Sequence, residues 1–223
     1  MSLFSSSYRL LDYLHTAFHE ANQTGAPVVS PMWFKYPKDA TTYPIDLQWF
    51  FGDSILVSPV TEENSTSVSI YLPKVHLALP LAIIYVYKTK DVFYDFLTLT
   101  PVQGTGAHVL LSNVSFTEIP VHIKGGAVLP LRALSTMTTA ELRETDFELF
   151  VAPGMDGTAT GQLYLDDGVS VVQPAQTQVA MSFKHGTLAV TGNFGFKTGV
   201  NVARVQFSAQ SQPSYTRVLK NHS

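Results

Sequence analysis

The spacing of apolar residues changes near residue 52 and divides the chain into two kinds of structure. Residues 8–21 (YRLLDYLHTAFHEA) carry apolar side chains three or four positions apart, which predicts an amphipathic helix. Ser7 is the predicted N-cap, and the segment from Asn22 to Gly25 is the predicted end of the helix. The side chains predicted to form its buried stripe are Leu11, Leu14, Phe18 and Ala21, widened by Leu10 and Ala17.

A nearly continuous apolar segment, APVVSPMWFKYP, follows this helix and is bounded by Pro27 and Pro37. It is predicted to be an extended strand, because strands buried on both faces are apolar at almost every position. A helix, a short loop and an apolar strand form one unit of a parallel α/β structure. One such unit cannot bury its own faces, so the sequence predicts an incomplete α/β domain here.

After Gly52 the chain consists of short β-rich runs separated by Gly, Pro, Asn and Asp. This pattern is typical of antiparallel β-sandwiches. The stretch ALSTMTTAELRETD, residues 133–146, is less apolar and predicts a boundary between two sandwiches. The predicted strand-bearing runs are SILVSPV, TSVSIYLP, DVFYDFLTL, AHVLLSNV, IPVHIKGGAVLPL, DFELFVAP, GQLYLDDG, QVAMSFKHG, TLAVTGNF and ARVQFSA.

One run, LALPLAIIYVY at residues 77–87, contains no charged residue. It is too short to span a bilayer, which requires roughly 20 apolar residues, and it contains Pro80. It therefore predicts no membrane anchor.

Composition restricts the possible partners. The 223 residues are 45% hydrophobic and 14% charged, with a net charge of −3, which is typical of a folded protein. No basic stretch points to nucleic acid or to an anionic membrane surface, so neither partner is expected. The absence of cysteine excludes disulfides and thiolate metal sites, and it leaves the redox compartment open.

Four N-x-S/T sequons, which are N-glycosylation acceptors in secreted proteins, begin at Asn22, Asn64, Asn113 and Asn221. Their number favours the secretory route. The N-terminal residues MSLFSSSYRLLDY lack the basic region and apolar core of a signal peptide. A chain with secretory sequons and no signal is expected to be part of a longer protein.

Several polar residues could carry chemistry, but each has a simpler structural interpretation. His15 and His19 have the i, i+4 spacing of zinc ligands without the adjacent glutamate of metalloproteases, so surface or partly buried histidines are favoured over a metal site.

Gly125-Gly126 fits a turn that needs positive φ better than a phosphate loop. Asp166-Asp167-Gly168 fits a hairpin turn better than a catalytic pair. No metal and no cofactor are predicted.

Aromatic residues cluster between positions 33 and 51. Aromatic rings stack on sugar rings, so a carbohydrate site is one interpretation, and core packing is the other. The cluster consists of Trp33, Phe34, Tyr36, Trp49, Phe50 and Phe51.

Four ordered segments together resemble the C-terminal part of glycoside hydrolase family 31, in the form found in secreted fungal α-glucosidases and α/β-glucosidases. They are YRLLDYLHTAFHEANQTGAPVVSPMWFKYPKD, IDLQWFFGDSILVSPVTEENSTSVSIYLP, IPVHIKGGAVLP and LYLDDG. The resemblance implies a mainly β chain: the end of a (β/α)8 barrel followed by two antiparallel β-sandwich domains. It also implies secretion.

The resemblance divides the chain into segments. Residues 1–52 would be the last helix and strand of an incomplete catalytic barrel, with VVSPMWF as the eighth strand. Residues 53–135 would be the proximal β-sandwich, 136–145 a linker, and 146–223 the distal β-sandwich with a doubtful end.

The resemblance also implies a reaction. Family members hydrolyse terminal non-reducing α-glucosyl residues with retention, which requires two carboxylates about 5–5.5 Å apart. Both belong to earlier barrel strands, and the W-x-D-M-N-E motif of the nucleophile does not occur here, so no catalytic residue is assigned. A sugar-binding histidine of the family corresponds to Phe34. Phe34 or Trp33 could instead contact the sugar by stacking.

Three functions follow. The first is an α-glucosidase fragment that is inactive alone and needs the missing N-terminal and barrel portion of the same enzyme, with carbohydrate as substrate. The second is an active enzyme whose barrel is completed by another chain. The third is a non-catalytic β-sandwich module that binds glycans or supports a partner catalytic chain.

Residues 75–90 interrupt the resemblance. Without Val75–Lys90 the chain reads YLPKDVFYDF, which matches the family junction. Every valine codon begins with GT and one lysine codon ends in AG, as spliced introns do. We therefore interpret these sixteen residues as an insertion, and as a translated intron if mature message lacks their codons.

Overall fold

The computed structural model describes residues 8–74 and 91–208. In that part of the chain, fourteen strands, three α-helices and a short 3-10 helix form a mainly β structure. The helices are α1 (Leu11–Thr24), α2 (Met32–Lys35) and α3 (Thr139–Arg143), and the 3-10 helix is Ala40–Thr42. The strands are β1 (Val29–Pro31), β2 (Trp49–Phe51), β3 (Ile55–Val57), β4 (Val68–Leu72), β5 (Asp91–Asp95), β6 (Pro101–Gly104), β7 (Ala107–Leu111), β8 (Val121–Lys124), β9 (Ala127–Arg132), β10 (Phe147–Ala152), β11 (Ala159–Leu165), β12 (Thr177–Lys184), β13 (Thr187–Phe194) and β14 (Val202–Phe207).

Helix α1 ends where the sequence predicts. Gly25 has φ 73° and its N–H donates to Ala21 O at 2.8 Å, because glycine can adopt the left-handed conformation that terminates a helix. The helix begins three residues later than predicted, with Leu10 at its N-cap and no side-chain cap hydrogen bond, while the predicted N-cap Ser7 lies outside the described residues.

The predicted buried stripe of α1 is only partly correct, since Ala17 is buried and Leu10 packs against an apolar core cluster. Phe18 is 60% exposed and Leu11 and Leu14 are only half-buried, whereas Asp12 and Thr16 are buried beside Ala17. The side of the helix that carries Asp12 and Thr16 packs on β9 and β11, because both residues form hydrogen bonds with residues of these strands. Arg132 at the end of β9 donates to both Asp12 carboxylate oxygens, at 2.6 and 2.8 Å, and Tyr164 N in β11 donates to Thr16 Oγ1 at 3.0 Å.

The apolar segment after α1 is not one continuous strand. It forms the three-residue strand β1 and then turns into α2. Pro31 occupies the N-cap position of α2 in an extended conformation, with φ −65° and ψ 160°, so the strand ends there and the helical turn begins at Met32. Within the described part of the chain β1 pairs only with β2, and the pairing is antiparallel.

The first large sheet has the strand order β1-β2-β3-β8-β5-β6 and all of its pairings are antiparallel. Both of its faces are covered. A two-stranded sheet, β4-β7, encloses one apolar cluster against it, and the second large sheet encloses another. Strands of the first sheet are therefore apolar on both sides. The fully buried side chains include Phe50, Leu56, Phe93, Tyr94 and Ile123.

The second large sheet has the order β13-β12-β11-β9-β10-β14. Its strand β9 lies between residues 53 and 135, yet it pairs with β10 over six residues. The sheet is not wholly antiparallel, because β14 runs parallel to β10 and β9 parallel to β11. The predicted linker 136–145 contains α3, whose Leu142 is buried. The domain boundaries remain a prediction.

All ten predicted β-rich runs contain strands, and the run around Gly125-Gly126 contains both β8 and β9. Strands β2 and β6 were not predicted. Strand β2 (WFF) precedes the β-rich runs that begin after Gly52, and β6 (PVQG) has too few apolar residues to show an alternation.

The predicted insertion at 75–90 and the apolar run inside it lie outside the described residues. The residues on either side of it come close together beside β6. A Cβ on Gly104 would clash with the main-chain oxygen of Pro73 and with that of Asp91. The main chain before residue 75 and after residue 90 therefore approaches the same residue.

Candidate functional site

Helix α2 presents two aromatic side chains outward at the end of β1. Met32 and Tyr36, four residues apart, are buried in the core between the first sheet and β4-β7. Burial of these two positions directs the residues between them away from the core. Trp33 is 47% exposed and Phe34 is 44% exposed.

The two rings form an edge-to-face pair. The Trp33 and Phe34 centroids lie 6.2 Å apart at an interplanar angle of 67°. The Lys35 ammonium lies 5.9 Å from the Phe34 centroid and forms an ion pair with Asp53. An exposed aromatic pair beside a cation and a carboxylate offers the stacking surface and the polar groups that sugar rings require.

The other aromatic residues of the cluster belong to the core or its edge. Tyr36 and Phe50 are buried, as core packing predicts, and Trp49 and Phe51 are half-buried on β2. The exposed pair Trp33 and Phe34 is thus the part of the cluster that a ligand can reach.

Two tyrosine–aspartate hydrogen bonds hold the chain behind α2. The Tyr36 hydroxyl donates to Asp91 at 2.7 Å, and the Tyr71 hydroxyl donates to Asp39 at 2.6 Å. Burial raises the pKa of Tyr71 to about 12, and it also raises the pKa of Tyr36 and of Asp91. These tyrosines therefore stay protonated and act as fixed hydrogen-bond donors.

His15 and His19 do not converge on a common site. The His15 Nε2 lies 3.2 Å from Asp166 Oδ2, whereas the His19 ring stacks on Tyr164 at 3.6 Å. The amide nitrogens of Gln23 and Gln178 lie 2.8 and 2.9 Å from His19 Nε2. Burial lowers the pKa of His19, with a further contribution from His15. Both histidines connect α1 to the second sheet.

The two glycine-containing motifs are structural. Gly125-Gly126 forms the turn between β8 and β9, where Gly126 has φ 94° and a Cβ on Gly125 would clash with Val92. Gly168 has φ 68° after the two aspartates. The connection from β11 to β12 spans residues 166–176, so it is longer than the hairpin turn predicted there.

The aspartates of that connection stabilise their own loop and its surroundings. Asp167 accepts hydrogen bonds from the backbone of Val169 and Ser170 and from the Ser170 hydroxyl, which together lower its pKa to about 2. Asp166 is buried, accepts from Gly168 N, and lies near His15 and Arg143.

Three sequon asparagines are exposed. Asn22 lies in the last turn of α1, and Asn64 and Asn113 occupy left-handed turns with φ 58° and 60°. Asn221 lies outside the described residues.

Sequence reasoning did not identify the residues that attach α1 to the sheets. Asp12 and Arg132 are 120 positions apart, and the Tyr13 hydroxyl donates to Phe51 O at 2.9 Å and accepts from Ser54 N at 3.0 Å. Burial raises the pKa of Tyr13 to about 12. No local pattern marks such contacts, because each needs a partner from a distant strand.

Neither a metal cluster nor a membrane-crossing helix is seen in residues 8–74 and 91–208. No three potential metal-binding His, Asp or Glu side chains come together there. No helix in these ranges has the length and apolar character needed to cross a bilayer.

The chain matches known proteins over most of its length. Residues 25–129 match the model of the glycosyl hydrolase family 31 C-terminal domain. The probable alpha/beta-glucosidase agdC of Neosartorya fischeri is 48% identical over 93% of this chain and 22% of its own length. The alpha-glucosidase of Hordeum vulgare is 42% identical over 73% of this chain and 17% of its own length. The chain thus spans about a fifth of the length of these curated relatives.

Solved structures show the same relationship. The Tris-bound glucosidase II alpha subunit superposes with a TM-score of 0.74 at 28% identity, over 89% of this chain and 21% of that chain. A family 31 dextranase of Flavobacterium johnsoniae, in complex with glucose, has a TM-score of 0.67 at 22% identity, over 92% of this chain and 24% of that chain. The second match concerns the fold alone.

Proposed function

This chain belongs to glycosyl hydrolase family 31, as a C-terminal portion, and on that premise we propose that it is part of an α-glucosidase-type enzyme. The observation that carries the proposal is the 48% identity over 93% of the chain to the Neosartorya fischeri alpha/beta-glucosidase. The whole enzyme would release terminal non-reducing α-glucosyl residues from carbohydrates. Its two catalytic carboxylates would lie on the barrel strands that this chain lacks.

The part supplied by this chain would contact the substrate through α2. Active sites of (β/α)8 barrels lie at the carboxyl ends of the strands, and α2 follows β1, the predicted eighth strand. Trp33 and Phe34 are the exposed residues at this position, and their rings can stack on a sugar.

The missing barrel portion would cover the apolar outer side of α1. Phe18 is 60% exposed on that side, and Val29 of the adjacent strand is 49% exposed. Large apolar side chains exposed on two consecutive elements are typical of an interface. We therefore propose that the N-terminal part of the same enzyme packs here.

Secretion and glycosylation are part of the same proposal. Asn22, Asn64 and Asn113 are exposed on turns or at a helix end, where an oligosaccharide fits without displacing packed residues. Residues 75–90 are proposed to be an insertion, since the chain on both sides approaches Gly104. The sequence of the mature message tests the insertion.

An activity assay tests the catalytic proposal. The isolated chain should not hydrolyse p-nitrophenyl α-glucoside, whereas a full-length protein with its barrel should. In the full-length protein, Phe34→Ala should raise KM for maltose about tenfold, the size of a lost stacking contact of about 1–1.5 kcal/mol. Phe116→Ala, at another exposed phenylalanine, is the matched control. An unchanged KM in the Phe34 variant would exclude the proposed contact, and an inactive full-length protein would exclude the enzyme.

A further inference from the structure

Four lysines line one small cavity behind α2. The cavity has a volume of about 290 Å³, and its walls are Lys35, Lys38, Lys74 and Lys124 together with Tyr36, Pro37 and Asp39. We call it the lysine cavity. Residues 8–74 and 91–208 contain six lysines, so four of the six converge here in a chain whose net charge is −3.

The positive charge of the lysine cavity is mostly unpaired. Lys35 forms an ion pair with Asp53, whose side chain is 80% exposed. Within the described ranges, no carboxylate lies at ion-pair distance from Lys38, Lys74 or Lys124.

The nearest carboxylates are oriented toward other groups. Asp39, in the cavity wall, accepts a hydrogen bond from the Tyr71 hydroxyl at 2.6 Å and another from Thr41 N at 3.1 Å. Asp91 accepts from the Tyr36 hydroxyl at 2.7 Å. Both acids hydrogen-bond to tyrosines and neither lies at ion-pair distance from a cavity lysine, although the Asp91 carboxylate interacts electrostatically with Lys124.

Two of the lysines are held in place by the fold. Lys124 extends its ammonium over the Tyr36 ring, 5.1 Å from the centroid, and Lys35 is held by Asp53. Both are half-buried, whereas Lys38 and Lys74 are exposed at the opening. The ammonium groups repel one another because they carry like charges at short distance. An anion placed among them attracts each of them, so the electrostatic energy of the cavity becomes favourable.

We infer that the lysine cavity binds one tetrahedral oxyanion, a phosphate or sulfate group that is either free or esterified to a sugar. Each ammonium offers three donors, so several lysines can surround the oxygens of one such group. A volume of 290 Å³ accommodates one oxyanion with a small substituent. It does not offer the extended basic stripe that a nucleic acid needs. The inference does not depend on the proposed glucosidase activity.

Titration calorimetry of the full chain with inorganic phosphate, at constant ionic strength in sodium chloride, tests the inference. One saturable site per chain is expected. Lys38→Gln and Lys74→Gln should each weaken binding about tenfold, since each removes a charged hydrogen-bond donor to the oxyanion. Lys184→Gln and Lys197→Gln, at exposed lysines outside the cavity, are matched controls and should change affinity less than twofold.

All four substituted lysines are exposed, so each variant should unfold at nearly the same temperature as the unchanged chain. Thermal unfolding measures this and shows that each variant is folded. Glucose 6-phosphate and glucose distinguish the possible sources of the oxyanion. Tighter binding of glucose 6-phosphate than of phosphate supports an esterified sugar, and equal binding supports the free oxyanion. Binding that is not saturable, binding of glucose as tight as that of its phosphate ester, or equal weakening by the control variants would overturn the inference.

Discussion

Helix α1 and the first sheet bury opposite kinds of side chain. The first sheet buries large apolar residues on both faces, such as Phe93 and Tyr94, whose side chains are fully enclosed. Helix α1 buries Asp12 and Thr16 and exposes most of Phe18. The sheet is therefore stabilised by hydrophobic burial. The helix also buries Ala17 and packs Tyr13 on the apolar core, but it is attached in addition by hydrogen bonds and ion pairs.

The difference indicates which surfaces are complete in this chain. The central strands of the first sheet, β3, β8 and β5, are covered on both faces by other strands of the same chain. The outer side of α1 has no comparable cover within the described residues, although its composition is that of an interior. This side of the helix is where we propose that the rest of the enzyme packs.

The same substitution in the two regions should have very different effects. Phe93→Ala should lower the free energy of unfolding by about 3–5 kcal/mol, because it leaves a cavity between the first sheet and β4-β7. Phe18→Ala should change it by less than about 0.5 kcal/mol, since that ring is mostly in solvent. Urea denaturation followed by tryptophan fluorescence measures both values. Similar losses would show that α1 has a buried apolar side after all.

Removing the charge of Asp12 should break the polar attachment of α1. Asp12→Asn leaves the Arg132 guanidinium buried without its carboxylate, and the expected loss is about 3 kcal/mol of unfolding free energy. Asp53→Asn makes the same chemical change in an exposed ion pair with Lys35 and should cost less than about 1 kcal/mol. If the two variants lose the same unfolding free energy, the buried ion pair between Asp12 and Arg132 does not stabilise the attachment of α1.

The first sheet should also respond to acid through His122. Side chains alternate along β8, so His122 lies on the opposite face of the strand from Val121 and Ile123. This face is also interior, because the His122 side chain is only 1% exposed. Its Nδ1 has no hydrogen-bond partner in the described residues. Burial lowers the pKa of His122 in the folded state, and the carboxylate of Asp95 opposes this only in part. The folded chain therefore disfavours the protonated ring.

The unfolded chain binds this proton more readily, so stability should fall as the pH decreases below about 6.5, by at most about 1.4 kcal/mol per pH unit. The fall continues until the lower folded-state pKa is reached. Urea denaturation at roughly evenly spaced pH values between about 7.5 and 5 measures this loss of unfolding free energy. His122→Gln should flatten this dependence, whereas His108→Gln, at an exposed histidine, should leave it in place. An unchanged slope in the His122 variant would assign the acid sensitivity to other groups.

The strands and turns could be predicted because their signals are local. All ten predicted runs contain strands, since each combines β-favouring residues with flanking turn residues. Gly25 and Gly126 were identified as a helix end and a turn because glycine is the residue that adopts positive φ without strain. The resemblance to family 31 also came from the sequence, and the comparisons confirm it.

The candidate site was only partly predictable. Trp33 and Phe34 belong to an aromatic cluster that the sequence shows, but the sequence does not show which of its members are exposed. Burial of Met32 and Tyr36 decides that, and it depends on strands that follow much later in the chain. The lysine cavity could not be predicted either, because Lys38, Lys74 and Lys124 come from three separate segments.

The sequence by itself determined where α1 ends and that it is amphipathic, while the tertiary structure decided which side of it is buried. Helical spacing reveals an apolar side but not the neighbour that the helix will meet. Arg132 lies 120 positions away, and only folding brings its guanidinium to Asp12. Local backbone preferences act between near neighbours and can be read in order along the chain. Charge pairing and burial depend on distances that exist only once the sheets have assembled.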